Sequence, residues 1–237
     1  MDLNERGIYY PVLGICFGIQ FMLGQSFEPS IDPTSRCIGM EHKLMPLNFT
    51  LNARESKLFR TMPEKLYKSL ASENIAGHFH TAGVSMKHYN SFNDISKHFA
   101  VTATNHDDQG MEFISTMESR RYPFYGLQWH PEKAFFMNSL HKASILHQPR
   151  NAYKTSLWFS RFLFNEAMKN NNTFLSMNEQ ERFSFDCYKT NKIFSQSAHI
   201  AVKRLSFANF KVPKFDSICD SFVVDGTNGR LQCLSKL

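Results

Sequence analysis

Cys16 stands between Gly14 and Gly18 in PVLGICFGIQ, at the end of an apolar run. A thiol held on a sharp turn between strand and helix needs small neighbours, so that the backbone can reach an unfavourable φ/ψ and the side chain can face a substrate. A helix beginning just after it would bring its first N–H groups and its positive dipole end beside the sulfur, favouring thiolate over thiol. The chemistry this predicts is nucleophilic attack. The same stretch also suits an ordinary cysteine packed between glycines, since free cysteine is among the most buried residue types. On this stretch alone the two readings weigh about the same.

A thiol nucleophile needs a base, and GLQWHPEK supplies His130, with Glu132 beyond Pro131. Residues two apart in an extended segment point to one side, so the imidazole and the carboxylate can share a cleft. Glu132 would then hold the ring in the right tautomer and stabilise the imidazolium. A lone HPE also fits a polar loop. Paired with a glycine-flanked cysteine it is far more specific.

These groups must be positioned by a framework. PVLGI reads as a short buried strand and FGIQFMLGQ as the first turns of a helix, because an apolar run passes through glycine into a 3.6-residue period. HFAVTATNHDD from His98, GMEFISTMES from Gly110, and YPFYGLQWHP from Tyr122 to Pro131 read as closely spaced strands of a meander or sheet edge. NAYKTSLWFSRFLFNEAMKNN opens at Asn151 as an N-cap and carries Leu157, Phe159, Phe162, Leu163 and Ala167, a long helix packed on the sheet. Beyond residue 175 the aromatics scatter without a sustained period, so residues 1–175 form one domain and 176–237 a separate, poorly specified tail.

With 237 residues, 42% of them apolar and 14% aromatic, the chain can bury a sizeable core. A net charge of +6, from 27 basic and 21 acidic residues without dense Lys/Arg blocks, argues against nucleic acid as a partner. No window approaches the ~18 uninterrupted apolar residues of a membrane span, and MDLNERGIYY lacks the apolar region of a signal peptide. The five cysteines, Cys16, Cys37, Cys187, Cys219 and Cys233, are odd in number and widely spaced, so they fit no zinc pattern and leave at least one thiol free. Sequons at Asn48 and Asn171 weakly suggest a secretory ancestry.

PVLGICFGIQ followed much later by WHPE resembles the Cys–His–Glu triad of class I glutamine amidotransferase-like proteins. Within that superfamily FHTAGVSMKHYN, FAVTATNHDDQGMEFISTMESRRYPFYGLQWHPEKAFF and NAYKTSLWFSRFLFNEAMKNN are similar to the gamma-glutamyl hydrolase family of folate polyglutamate peptidases, over roughly residues 8 to 174. The resemblance implies a three-layer αβα, flavodoxin-like fold, here incomplete on its N-terminal side, because the family places several elements ahead of the nucleophile strand. It puts Cys16 on the nucleophile, His130 on the base and Glu132 on its orienter. His80 falls on a further histidine of the active-site cleft, which the residues alone would leave as a strand-end histidine. Gln20 falls on the contact to the glutamyl head group, where a solvent-facing helix residue is the alternative. The backbone N–H of Phe17 falls on an oxyanion donor. The implied reaction is hydrolysis of γ-glutamyl amides through a thioester, with no metal and no cofactor. The implied partner is a second copy of the chain, and the implied location is lysosomal or secreted, with cytosolic retention open for a chain without a leader. A glutaminase domain and an inactive isoform that acts by subunit pairing or substrate binding stay open beside it.

Overall fold

Side chains along the mostly buried central strands alternate between the two faces of one sheet. The computed structural model describes residues 1–24, 32–135, 150–183, 190–194, 201–205, 222–224 and 231–233. They fall into two units, Met1–Asn171 and Asn172–Leu237.

In the first unit a helical turn, α1 (Asp2–Glu5), leads to β1 (Val12–Ile15) and α2 (Phe17–Gly24). Then come β2 (Thr34–Arg36), β3 (Lys43–Met45), β4 (Asn48–Phe49), α3 (Glu64–Ser72), β5 (Ala76–His78) and β6 (Ala82–Val84). The unit closes with α4 (Met86–Ser91), α5 (Asn93–His98), β7 (Phe99–His106), β8 (Glu112–Ser119), β9 (Phe124–Leu127), a 3-10 turn at Pro131–Phe135, and α6 (Arg150–Ala167). The main sheet has five strands in the order β1-β9-β8-β7-β4. β7, β8 and β9 form the expected antiparallel meander. β1 lies parallel to β9, Val12 opposite Phe124 and Ile15 opposite Leu127.

The two cores explain the alternation. Tyr125, Leu127 and Trp129 pack with Phe59, Leu66, Leu70, Phe159 and Phe162, under α3 and α6. Phe124, on the other face, packs with Ile19, Leu23, Val84, Tyr89, Ile95 and Met117, under α2, α4 and α5. Helices therefore cover both faces, giving the αβα sandwich, and each fully buried large apolar side chain contributes about 1.5–3 kcal/mol.

α6 forms where the sequence placed it, with two local differences. Phe159 and Phe162 are buried, but Leu157 is 60% exposed, because a helix turns about 200° over two residues and puts it opposite Phe159. Asn151 lies inside the helix and does not cap it. Its side-chain Nδ2 instead donates to Ser69 Oγ at 3.0 Å and to the Glu73 carboxylate at 2.8 Å, tying α6 to the end of α3.

The second unit contains α7 (Met177–Phe183) and two antiparallel strand pairs. β10 (Thr190–Phe194) pairs with β11 (Ala201–Leu205), and β12 (Phe222–Val224) with β13 (Leu231–Cys233). Among the described residues Cys16 and Cys37 are free thiols; Cys187 and Cys219 lie outside those residues.

Candidate active site

The chain turns from β1 into α2 at Cys16, whose φ of 54° is the one positive value at a non-glycine among the described residues. Such a conformation costs of order 1–3 kcal/mol and persists only where its surroundings hold it. Here the Cys16 N–H donates to the Leu127 carbonyl at 2.7 Å, and the first helical N–H groups return to the Cys16 carbonyl. Gly14 is required by close approach: a Cβ there would lie 2.6 Å from the backbone of Gly18. Gly18 itself has open space where a Cβ would be, so only one of the two flanking glycines is sterically demanded.

The sulfur is half-buried, and burial pushes its pKa up. The backbone N–H of Phe17, the Lys133 ammonium and the side chain of Gln128 pull the other way without overcoming it. The helix end was expected to favour thiolate over thiol, but it does not outweigh desolvation of the anion. Gln128 Nε2 lies 3.7 Å from Sγ.

His130 and Glu132 do come together, by a different route from the one expected. The segment is not extended through HPE; after Trp129 the chain enters the 3-10 turn at Pro131, and the turn brings Glu132 Oε1 to 2.6 Å from His130 Nδ1. Burial raises the Glu132 pKa, but the hydrogen bond from His130 and the positive charge it carries when protonated outweigh this and hold the carboxyl below its ordinary value. His130 Nε2 is buried and makes no hydrogen bond among the described residues. The His130 backbone N–H donates to the Gly77 carbonyl at 2.8 Å, fastening this segment to β5.

Because β1 and β9 are parallel neighbours, Cys16 and the segment from Gln128 to Lys133 leave the sheet at the same end. The sulfur feels the charges of both Lys133 and Glu132. Lys133, with Nζ 4.2 Å above the Phe79 ring, has its own pKa lowered by burial, against the attraction of Glu132 and Cys16.

Gln20 is not a solvent-facing helix residue. Its Nε2 donates to the Ala82 carbonyl at 2.7 Å and to Gln128 Oε1 at 3.2 Å, which links it through Gln128 to the sulfur. His80, just past β5, is 5% exposed, and its Nε2 is 3.1 Å from Nδ1 of the fully buried His78. Burial lowers both pKa values, His78 to about 3 and His80 to about 4, and the charge of His130 adds to the effect on each. Phe17 presents an exposed ring beside the sulfur.

Sequence reasoning missed Gln128, His78 and Lys133. Gln128 and Lys133 stand inside GLQWHPEK, and a signal was present: β9 ends in register with the nucleophile strand, so the residues just beyond it must surround the thiol. His78 carried only the period-two spacing to His80 in HFH.

The site thus joins a strained half-buried thiol, an imidazole with one free nitrogen, and a carboxylate on the other nitrogen of that ring. A peptidase C26 family model matches residues 4–132, and the chain belongs to the peptidase C26 family. It is 39% identical over 174 residues to gamma-glutamyl hydrolase of Rattus norvegicus, covering 73% of this chain and 53% of that protein. It is likewise 39% identical over 182 residues to gamma-glutamyl hydrolase of Homo sapiens, covering 75% of this chain and 54% of that protein. To gamma-glutamyl hydrolase B of Dictyostelium discoideum it is 33% identical over 177 residues, covering 73% and 49% respectively. The chain spans about half the length of the curated relatives it matches.

Proposed function

We propose that this chain hydrolyses γ-glutamyl amide bonds, and that its substrates are folate poly-γ-glutamates. The observation that carries the reading is that Cys16 and the His130–Glu132 pair leave the parallel neighbours β1 and β9 at the same end, with His130 Nε2 making no hydrogen bond among the described residues. His130 takes the proton from Sγ, and the thiolate attacks the γ-carbonyl carbon. The oxyanion that forms is met by the Phe17 N–H, the donor whose hydrogen bond already favours negative charge on the sulfur. Collapse breaks the C–N bond as His130 returns its proton to the departing amine, leaving a thioester on Cys16. Water, deprotonated by the same imidazole, then releases the acid and the thiol. Glu132, ionised at neutral pH, stabilises the imidazolium in both halves. With both Nε2 protons of Gln20 donated to Ala82 and Gln128, its Oε1 accepts from an N–H of the glutamyl head group.

The raised thiol pKa supports a concerted role for His130, because the resting sulfur gives up its proton only when a base takes it. A homodimer and a lysosomal or secreted location belong to the same reading. Support for the location is the exposure of both sequon asparagines, Asn48 and Asn171.

The test is incubation of the purified chain with a pteroylpolyglutamate, chain shortening being followed by mass, beside Cys16→Ala. Shortening that disappears in the variant supports the proposal. Turnover of free glutamine with the polyglutamate untouched would replace it with the glutaminase reading, and a folded chain inert to both with the inactive-isoform reading.

A further inference from the structure

Outside the triad, the group with the most unspent chemistry is the pair His78 and His80. Both rings are buried, their Nδ1 and Nε2 are 3.1 Å apart, and each stands edge-on to Phe113, with ring centroids 5.6 and 5.2 Å away. Both outer nitrogens, His78 Nε2 and His80 Nδ1, are buried and have no hydrogen-bond partner among the described residues. Two neutral imidazoles sharing one hydrogen bond carry two protons between them: one lies in the shared bond and the other on one of the outer nitrogens. The fold therefore has two choices, and they give His80 opposite characters.

Burial separates them. His78 is 0% exposed and sits deeper than His80. Orphaned buried N–H groups are rarer than under-satisfied acceptors, so the deeper outer nitrogen is better left as a bare lone pair. The proton of His78 then lies on Nδ1 and is donated to His80 Nε2, which forces the proton of His80 onto Nδ1. The backbone of Ala82 beside His80 favours a proton on that ring. Its carbonyl, which also accepts from Gln20 Nε2 at 2.7 Å, suits a neighbouring donor.

We propose that His78 is a positioning residue that locks His80 as its Nδ1–H tautomer, so that His80 offers no free lone pair and cannot act as a second base beside His130. This rests on the hydrolase reading above for its catalytic sense, and on the two rings alone for the tautomer. Its chemical sense is that His130 is left as the one imidazole able to take the thiol proton. A second free lone pair on His80 would compete for it.

The experiment uses the whole chain labelled with 15N-histidine. Long-range proton–nitrogen correlation at neutral pH reads which nitrogen of each ring is protonated, with His80→Asn for assignment. The proposal expects protons on Nδ1 of both rings. In His78→Asn, whose amide can still donate at the same place, the His80 tautomer is kept and turnover of a pteroyl-γ-glutamyl-glutamate stays within about threefold. In His78→Leu the His80 signals shift toward a mixture and kcat falls by roughly tenfold or more, with KM little changed. A wild-type His80 protonated on Nε2 overturns the proposal, as does a folded His78→Leu chain with an unaltered His80 tautomer. Should His78→Leu fail to fold, the wild-type spectrum and His78→Asn still decide. A wild type without γ-glutamyl turnover removes the catalytic half of the proposal and the hydrolase reading together, while the spectrum still tests the lock.

Discussion

In the proposed reaction Cys16 reacts by partnership and not by its own ionisation. Burial pushes the thiol up, so alkylation by iodoacetamide without substrate should be slow at neutral pH and accelerate only above the ordinary cysteine range. Gln128→Leu removes a donor to the sulfur and one of the two acceptors of the Gln20 amide; we expect slower alkylation at a given pH and a fall in kcat of at least tenfold, measured on the same protein. Cys16→Gly should abolish turnover yet melt no earlier than the wild type, because glycine takes a φ of 54° without strain. Cys16, His130 and Glu132 stood out at this scale because their signals are local: a glycine at the approach of strand to helix, and a carboxylate two residues from an imidazole. Gln128 and Lys133 did not, because what makes them matter is the pairing of β9 with β1, a relation between residues more than a hundred positions apart. The direction of the thiol shift was misread for a related reason, since a sequence displays the helix that follows a cysteine but not the depth at which the sulfur lies.

The strand–helix pair around the elbow depends on contact between backbones. Gly14→Ala would set a methyl group 2.6 Å from the Gly18 backbone, which cannot yield as a side chain would. We expect a loss near the upper end of ~1–3 kcal/mol in urea unfolding and a displaced sulfur. Gly18→Ala, which meets open space, should cost far less. β5 and the loop after it carry the pH response. His78 and His80 have pKa values lowered from 6.5 to about 3 and about 4, so on acidification the unfolded chain takes up protons before the folded one does. Stability from keeping these rings neutral is complete above 6.5 and is lost progressively as the pH falls from there toward those folded values. Between 6.5 and about 5 the loss is at most about 2 kcal/mol per ring. Urea midpoints measured across that interval should fall, and His78→Asn should flatten the slope. Element types were readable from periodicity, including the meander and the long C-terminal helix of the first unit. The cap was not: Asn151 has the residue type of an N-cap, but a hydroxyl on α3 and the carboxylate of Glu73 just after it compete for its side chain.

On the scale of the whole molecule, the first unit holds both cores and every candidate residue. A chain ending at Asn171 is therefore expected to keep its cooperative unfolding transition and its reactivity at Cys16, both measurable beside the 237-residue form. The layered architecture was foreseeable from the resemblance, whereas the strand pairs of the second unit left no periodic trace in the sequence. One backbone bond carries a broader consequence. Cys16 hangs by its own amide from the carbonyl of Leu127, so sulfur and imidazole are spaced by the hydrogen-bonding ladder and hardly at all by the surrounding loops. Adding or deleting one amino acid between Phe124 and His130 would offset nucleophile from base by a full ladder step, whereas comparable length changes in the β7–β8 connection would leave the spacing intact. Natural variation in length should accordingly collect in the connections and spare that short tract.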